Sequence, residues 1–267
     1  MVANVLSIAG LDPSGGAGIL ADVKTFSALG AYGMAVLTAV TAQNTRGVTA
    51  VQQLSPELVV QQLETLLADV RIDAVKIGML GNAAVVHAVA DTLRRHPLPY
   101  VVLDPVMVAK GGDRLLDEAA VAALRDDLLP LCGLVTPNLP EAAALLDEPE
   151  VTDEDGMGAQ LRRLTAMGTG VLLKGGHLDS PESVDLLAVD GTITRLSAPR
   201  VPTTNTHGTG CTLSSAVAAL RPGTADWAEA VSAAKTYLTA AIVAGEQLSV
   251  GSGHGPLHHF VNQWEST

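Results

Sequence analysis

The chain has little of several things, and each shortage narrows what it can be. Its 267 residues include two cysteines, Cys132 and Cys211. They are too far apart for a zinc-ligand spacing and too few for a disulfide framework, which suits a reducing compartment. Sixteen Lys and Arg stand against 28 Asp and Glu, a formal net charge of -12. Few and scattered basic residues exclude a non-specific nucleic-acid binder, which needs clustered cations against phosphates. No run of about 18 uninterrupted apolar residues is present to cross a bilayer. The nearest candidate, 26–42, is broken by Gly30 and Gly33 and reads as helix, turn and buried strand. Residues 1–10 have neither the basic leader nor the long apolar core of a secretory signal, so the expectation is a soluble, cytoplasmic protein with no membrane partner. His177, His207 and the group His254, His258 and His259 show no i, i+4 pairing with supporting carboxylates, so no zinc site is expected from them. The motif G-x-x-x-x-G-K-[ST] occurs nowhere, which excludes a P-loop nucleotidase.

What the chain does have is apolar content, 48% of its residues, ample for a buried core in one domain spanning 1–267. Short apolar runs over 5–9, 34–41, 74–77, 101–103, 134–136 and 171–173 alternate with amphipathic ones over 19–29, 56–70, 83–93, 118–129, 141–146 and 156–167. That alternation predicts a three-layer α/β/α fold with a mostly parallel central sheet. Runs 184–189 and 192–196 flank Asp190-Gly191, which favours a two-residue turn and predicts an antiparallel hairpin at one edge. Segments 209–220 and 227–248, separated by Pro222-Gly223, read as closing helices.

Ligands of such sheets bind beyond the carboxyl ends of the strands, and the glycine-rich and polar segments all fall there. The segment Asn205-Thr206-His207-Gly208-Thr209-Gly210-Cys211 leads into a helix. It sets unblocked backbone N–H groups at the positive end of the helix dipole, a seat for phosphate. Cys211 at that end is expected to have a depressed thiol pKa. The alternative is a glycine turn that merely caps a buried helix. Residues 9–18 carry four glycines in ten and let a ligand approach the backbone. Gly16, Gly18 and Ala21 also fit a loose dinucleotide fingerprint, but the second strand ends in Thr41-Ala42-Gln43-Asn44 with no acid for a ribose diol.

Three charged positions sit on the same rim. Asn138-Leu139-Pro140-Glu141 starts a helix, and Glu141 either complements the dipole or, with Asn138, holds the Mg²⁺ that accompanies a nucleoside triphosphate. Asp104, at the end of a buried strand, is a second carboxylate that is costly to bury without a cation or donors. Lys174 follows Val171-Leu172-Leu173 and precedes two glycines, so its ammonium emerges at a strand tip as a point charge suited to phosphate. Lys110-Gly111-Gly112 reads as a surface loop, with phosphate cover as the other possibility.

With these motifs, and with Lys76-Ile77-Gly78-Met79-Leu80, the chain resembles the ribokinase-like kinases. Among them it is similar to the hydroxymethylpyrimidine/phosphomethylpyrimidine kinases of thiamine biosynthesis. The resemblance runs from Leu6 to about Phe260. It implies ATP and Mg²⁺, and phosphorylation of 4-amino-5-hydroxymethyl-2-methylpyrimidine and then of its monophosphate. It places the pyrimidine against Gly10, Ala17, Thr41, Gln43, Met79 and Val106. The nucleotide falls to Asn138, Lys174, Thr209 and Gly210, the metal to Glu141 and Asp104, and transfer to Gly208, Gly210, Cys211 and Lys174. Gln43 stands where some members carry glutamate, and Cys211 where the sugar kinases carry a general-base aspartate. The resemblance also implies a homodimer, and an adenine pocket among 201–204 and the closing helices. A pyridoxal or pyridoxine kinase of the same superfamily and a non-catalytic pyrimidine sensor are the alternative readings.

Overall fold

The computed structural model describes residues 1–107, 116 and 118–264. The expected loop at Lys110, Gly111 and Gly112 lies outside the described residues. The chain runs β1 (Asn4–Leu11), α1 (Gly18–Ala28), β2 (Tyr32–Asn44), β3 (Gly47–Gln53), α2 (Pro56–Leu67), β4 (Ala74–Ile77), α3 (Ala83–Arg95) and β5 (Val101–Leu103). It continues with α4 (Glu118–Ala123), β6 (Leu134–Val135), α5 (Leu139–Leu146), α6 (Glu154–Thr165), β7 (Gly170–Lys174), β8 (Glu182–Val189), β9 (Thr192–Pro199), α7 (Thr209–Leu220) and α8 (Trp227–Val243).

The strands form a sheet in the order β3-β2-β1-β4-β5-β6-β7-β8-β9. From β2 to β7 each neighbouring pair is parallel. The fold is the expected three-layer α/β arrangement, with one difference at its margin. Both edges are antiparallel: β8 and β9 pair through a turn in which Asp190 and Gly191 have φ of 50° and 75°, and β3 pairs with β2 at the other edge. The Asp-Gly hairpin was expected; the β2–β3 hairpin was not. Strand β3 is exposed over most of its length and its residues do not alternate cleanly, so it carries no half-buried period for a sequence reader to find. The predicted helix over 118–129 is likewise interrupted. After α4 the backbone widens into a π-turn over Leu124–Leu128 and tightens at Leu129–Leu131, where Pro130 removes an amide donor.

Strand alternation divides the core into two layers. Leu6, Ile8, Val75 and Ile77 pack on the face covered by α2 to α6. Val5 and Ala74 face the other way, toward Phe26 of α1, Leu213 and Val217 of α7 and Val231 of α8. Helix α7 is buried all round from Thr212 to Ala219, and three of those positions, Ala216, Ala218 and Ala219, are small. Small residues let the helix lie close against the sheet and bring its amino end over the strand tips.

Candidate active site

A cavity of about 1020 Å³ opens at the carboxyl ends of β1, β2, β5 and β7. The candidate site residues line it, from Gly10, Ala17, Thr41, Gln43, Met79 and Val106 on one side to Asn138, Glu141 and Lys174 on the other, with Asp104 and Gly208 to Cys211 between. Convergence follows from topology, because each lies at or just beyond a strand tip or at the first turn of α7.

The amino end of α7 has no side-chain cap; its N-cap is Gly208 with φ 80°. That left-handed conformation suits glycine, and a Cβ there would overlap the Gly16 carbonyl oxygen, so the two glycine segments interlock. The first N–H groups of the helix are thus presented to the cavity, and Thr209 Oγ1 donates to the Thr206 carbonyl at 2.8 Å to fix the turn. A Cβ on Gly210 would come within 3.3 Å of Lys174 Nζ.

Lys174 is 14% exposed and lies 2.9 Å from Asp104 Oδ1 and 3.8 Å from Glu141 Oε2. Burial works against its charge, but Asp104 and Glu141 overcome it and raise the lysine above its ordinary range. Asp104, itself buried, also accepts from Thr136 Oγ1 at 3.2 Å and Ser214 Oγ at 3.3 Å. Burial would raise its pKa, yet Lys174 and Lys76 hold it low. Glu141 and Asn138 form a reciprocal capping box: the Asn138 side chain accepts from Glu141 N–H and Glu141 Oε2 accepts from Asn138 N–H, each at 2.8 Å. The helix-start reading of Glu141 therefore holds geometrically, without removing the residue from the cavity. Burial, with the Asp104 charge adding to it against Lys174, pushes Glu141 up to about 7.

Cys211 departs from expectation. The helix end was expected to depress its pKa, but burial pushes the thiol up to about 11, with Asp22 and Asp104 adding to that effect and Lys76 opposing it. The helix dipole is outweighed because the thiol is enclosed beside carboxylates that lie remote in sequence.

Near the tip of β1 Gly10 faces Met79, whose Cε would be 2.5 Å from a Cβ at that position. The Thr41 hydroxyl is shared between the Leu11 carbonyl at 2.9 Å and Gln43 Oε1 at 3.2 Å. Toward the closing helices the cavity is lined by Val201, Leu238, Thr239 and Ile242, the region expected for adenine.

Several charged groups at the site were not read from the sequence. Asp12 accepts from Ser14 Oγ at 2.7 Å and from Ala17 N–H at 3.0 Å and pairs with His207 Nε2 at 2.7 Å. Asp185 and Lys235 pair at 2.5 Å in the cavity wall. Lys76 pairs with Asp22, near enough to Cys211 for both charges to act on its thiol. Only Lys76 had a local signal, as a lysine inside the otherwise apolar Ala74–Ile77.

Among the described residues no group of three or more His, Cys, Asp and Glu is placed to hold a metal ion. Asp104 and Glu141, with an ammonium already between them, nevertheless form a cation-attracting pair. Two carboxylates suit Mg²⁺, which binds few protein ligands and completes its shell with water and substrate phosphates. No helix of the described residues is long and apolar enough to cross a membrane.

Residues 12–258 match the family described as phosphomethylpyrimidine kinase. The chain is 56% identical to the hydroxymethylpyrimidine/phosphomethylpyrimidine kinase of Escherichia coli (strain K12), over 98% of each chain. Among solved structures, it is similar to phosphomethylpyrimidine kinase from Clostridium difficile 630, with 40% identity and a TM-score of 0.80 over 90% of this chain and 99% of that one. An ADP complex of Bacillus subtilis pyridoxal kinase is also similar, with 36% identity and a TM-score of 0.91 over 99% of this chain and 100% of that one.

Proposed function

The chain belongs to the phosphomethylpyrimidine kinase family, and from that premise we propose that it transfers the γ-phosphoryl group of ATP to the hydroxymethyl oxygen of 4-amino-5-hydroxymethyl-2-methylpyrimidine. A second turnover adds a phosphoryl group to the monophosphate, in thiamine biosynthesis. The observation that carries this reading is the Lys174 ammonium, held 2.9 Å from Asp104 and against Gly210 at the uncapped start of α7. A fixed cation and an array of backbone donors meet where charge spreads over the equatorial oxygens of a transferring phosphoryl.

In this reading the N–H groups from Gly208 to Cys211 and the Lys174 ammonium cradle the γ-phosphoryl. Asn138, Thr209 and Gly210 line the nucleotide side. Asp104 and Glu141 would hold Mg²⁺, which when bound neutralises charge on the β- and γ-phosphate oxygens. Gly10, Ala17, Thr41, Gln43, Met79 and Val106 bracket the pyrimidine, with the Gln43 amide toward its polar edge. Cys211, with a pKa of about 11, keeps its proton at neutral pH. It therefore orients the acceptor hydroxyl as a thiol instead of standing ready as a base. A loose transition state tolerates this, because the acceptor proton need not leave before the phosphorus–oxygen bond begins to form. We read the protein as a single-domain, cytoplasmic homodimer that acts on small molecules.

Incubation with ATP and, in turn, hydroxymethylpyrimidine, its monophosphate and pyridoxal tests the assignment. Product bearing two phosphates is expected from the pyrimidine. Phosphorylation of pyridoxal alone would overturn the reading.

A further inference from the structure

One buried charged group has no part in the reaction as derived above. Strand alternation turns Ser7 of β1 and Lys76 of β4 toward the α1 and α7 layer, where an apolar side chain would otherwise pack. Both side chains of the Lys76–Asp22 pair are fully buried, and Lys76 Nζ lies 2.9 Å from each Asp22 oxygen. Asp22 also accepts from Ser7 Oγ at 2.6 Å and from Ser215 Oγ at 2.7 Å. One carboxylate thus ties together β1, α1, β4 and the second turn of α7. The preceding residue on α7, Ser214, reaches Asp104 in the same way. Lys76 lines the cavity beside Cys211 and Asp104.

An ion pair in a core is a poor source of stability, because removing two charges from water offsets most of their attraction, and apolar residues of equal volume often do as well. This pair is bonded to the second turn of the helix assigned to cradle phosphate and acts on the charge of Cys211 in its first turn. We infer that Lys76 and Asp22 are positioning residues for phosphoryl transfer: Asp22 anchors the amino end of α7 to the sheet, and Lys76 sets a fixed positive charge near Cys211 and the acceptor oxygen. Binding energy is not their contribution. The pair acts where negative charge develops, so its loss should appear in turnover. The inference rests on the kinase reading for its account of turnover, but its electrostatic part concerns Cys211 alone.

The charged groups around Cys211 are Lys76 from β4, Asp22 from α1, Asp104 after β5 and Lys174 from β7. The test follows Cys211 alkylation by iodoacetamide as a function of pH in Lys76→Met and Asp22→Asn, with Cys132 sealed in the core. Losing Lys76 should move the profile to higher pH and losing Asp22 to lower pH, each by about half a unit or more. A merely structural role would loosen the site in both variants and move both profiles the same way, which would overturn the inference, as would no movement. Because each single variant leaves a charge buried without its partner, Lys76→Met/Asp22→Asn is the second variant. It should fold, keep nucleotide affinity within about threefold and lose turnover on the order of 100-fold. Turnover within about twofold of the parent, or an equal loss of nucleotide affinity, would overturn the inference. Should the parent prove unable to phosphorylate the pyrimidine, the kinase reading fails while the opposed alkylation shifts still stand or fall by themselves.

Discussion

His207 Nε2 lies 2.7 Å from Asp12 Oδ2, joining the turn before α7 to the first glycine loop across most of the chain. The His207 ring also packs on Gly16, where a Cβ would collide with it. The loop assigned to the acceptor and the turn assigned to phosphate are therefore one unit. Asp12→Asn or His207→Ala should lower kcat and raise the KM for the pyrimidine together, by about tenfold each, since misplacement of reacting groups is felt in both. Steady-state kinetics with varied pyrimidine check this; a change confined to the KM for ATP would contradict it.

The same pair carries a pH consequence. Burial would raise Asp12, but His207 and Ser14 hold its pKa below the ordinary aspartate value of 3.8. A carboxylate depressed in the fold contributes stability above its unfolded pKa and loses it as pH falls through the folded one. Asp12→Asn should therefore flatten the acid limb of the curve of Tm against pH below about pH 4. Thermal melts between acid and neutral pH measure it.

Glu141 is poised differently. With a pKa of about 7 it is largely protonated at slightly acid pH and charged at slightly alkaline pH. Cation binding favours the charged form, so the affinity for Mg²⁺-nucleotide should strengthen as pH rises through neutrality. Glu141→Gln should weaken it and abolish that dependence. Calorimetric titration at several pH values, in buffers of differing ionisation enthalpy, reads both the affinity and the proton released.

Cys211→Ala should lower turnover by about 10- to 100-fold while leaving nucleotide affinity within about twofold. In the parent, alkylation at neutral pH should be slow and accelerate toward the thiol pKa of about 11. An unchanged rate in the variant would remove Cys211 from the chemistry.

Gly208→Ala should damage both stability and activity. Its φ of 80° disfavours alanine by about 1 kcal/mol, and the Gly16 carbonyl leaves no space for a methyl group. Gly158→Ala makes the contrast: it lies within α6 with nothing within 4 Å of the place a methyl group would take, so stability should rise by about 0.5–1 kcal/mol. Paired denaturant titrations decide it.

The fold was legible where apolar runs are short and sharply bounded. Ala74–Ile77, Val101–Leu103 and Thr209–Leu220 appear with the limits read from the sequence, because glycine, proline or polar residues flank them. Strand β3 was not legible, since its pairing with β2 depends on an edge that the pattern of its own residues does not reveal. The outline of the cavity was visible in the glycine-rich and polar segments at the strand tips. Its electrostatics were not: the state of Cys211 is set by Lys76, Asp22 and Asp104, all distant along the chain, and no local spacing encodes that enclosure. Asp12 and His207 were each visible as turn residues, but their pairing across the sheet was not.

The buried alanines of α7 have an evolutionary and engineering consequence. A helix buried all round has almost no room to grow, so exchanging Ala216 or Ala218 for a bulkier residue would push the whole rod off its neighbours and carry its amino end away from the strand tips. Libraries that seek new acceptors should leave that face untouched and vary the strand-tip residues around Gln43 and Met79, where side chains border open space.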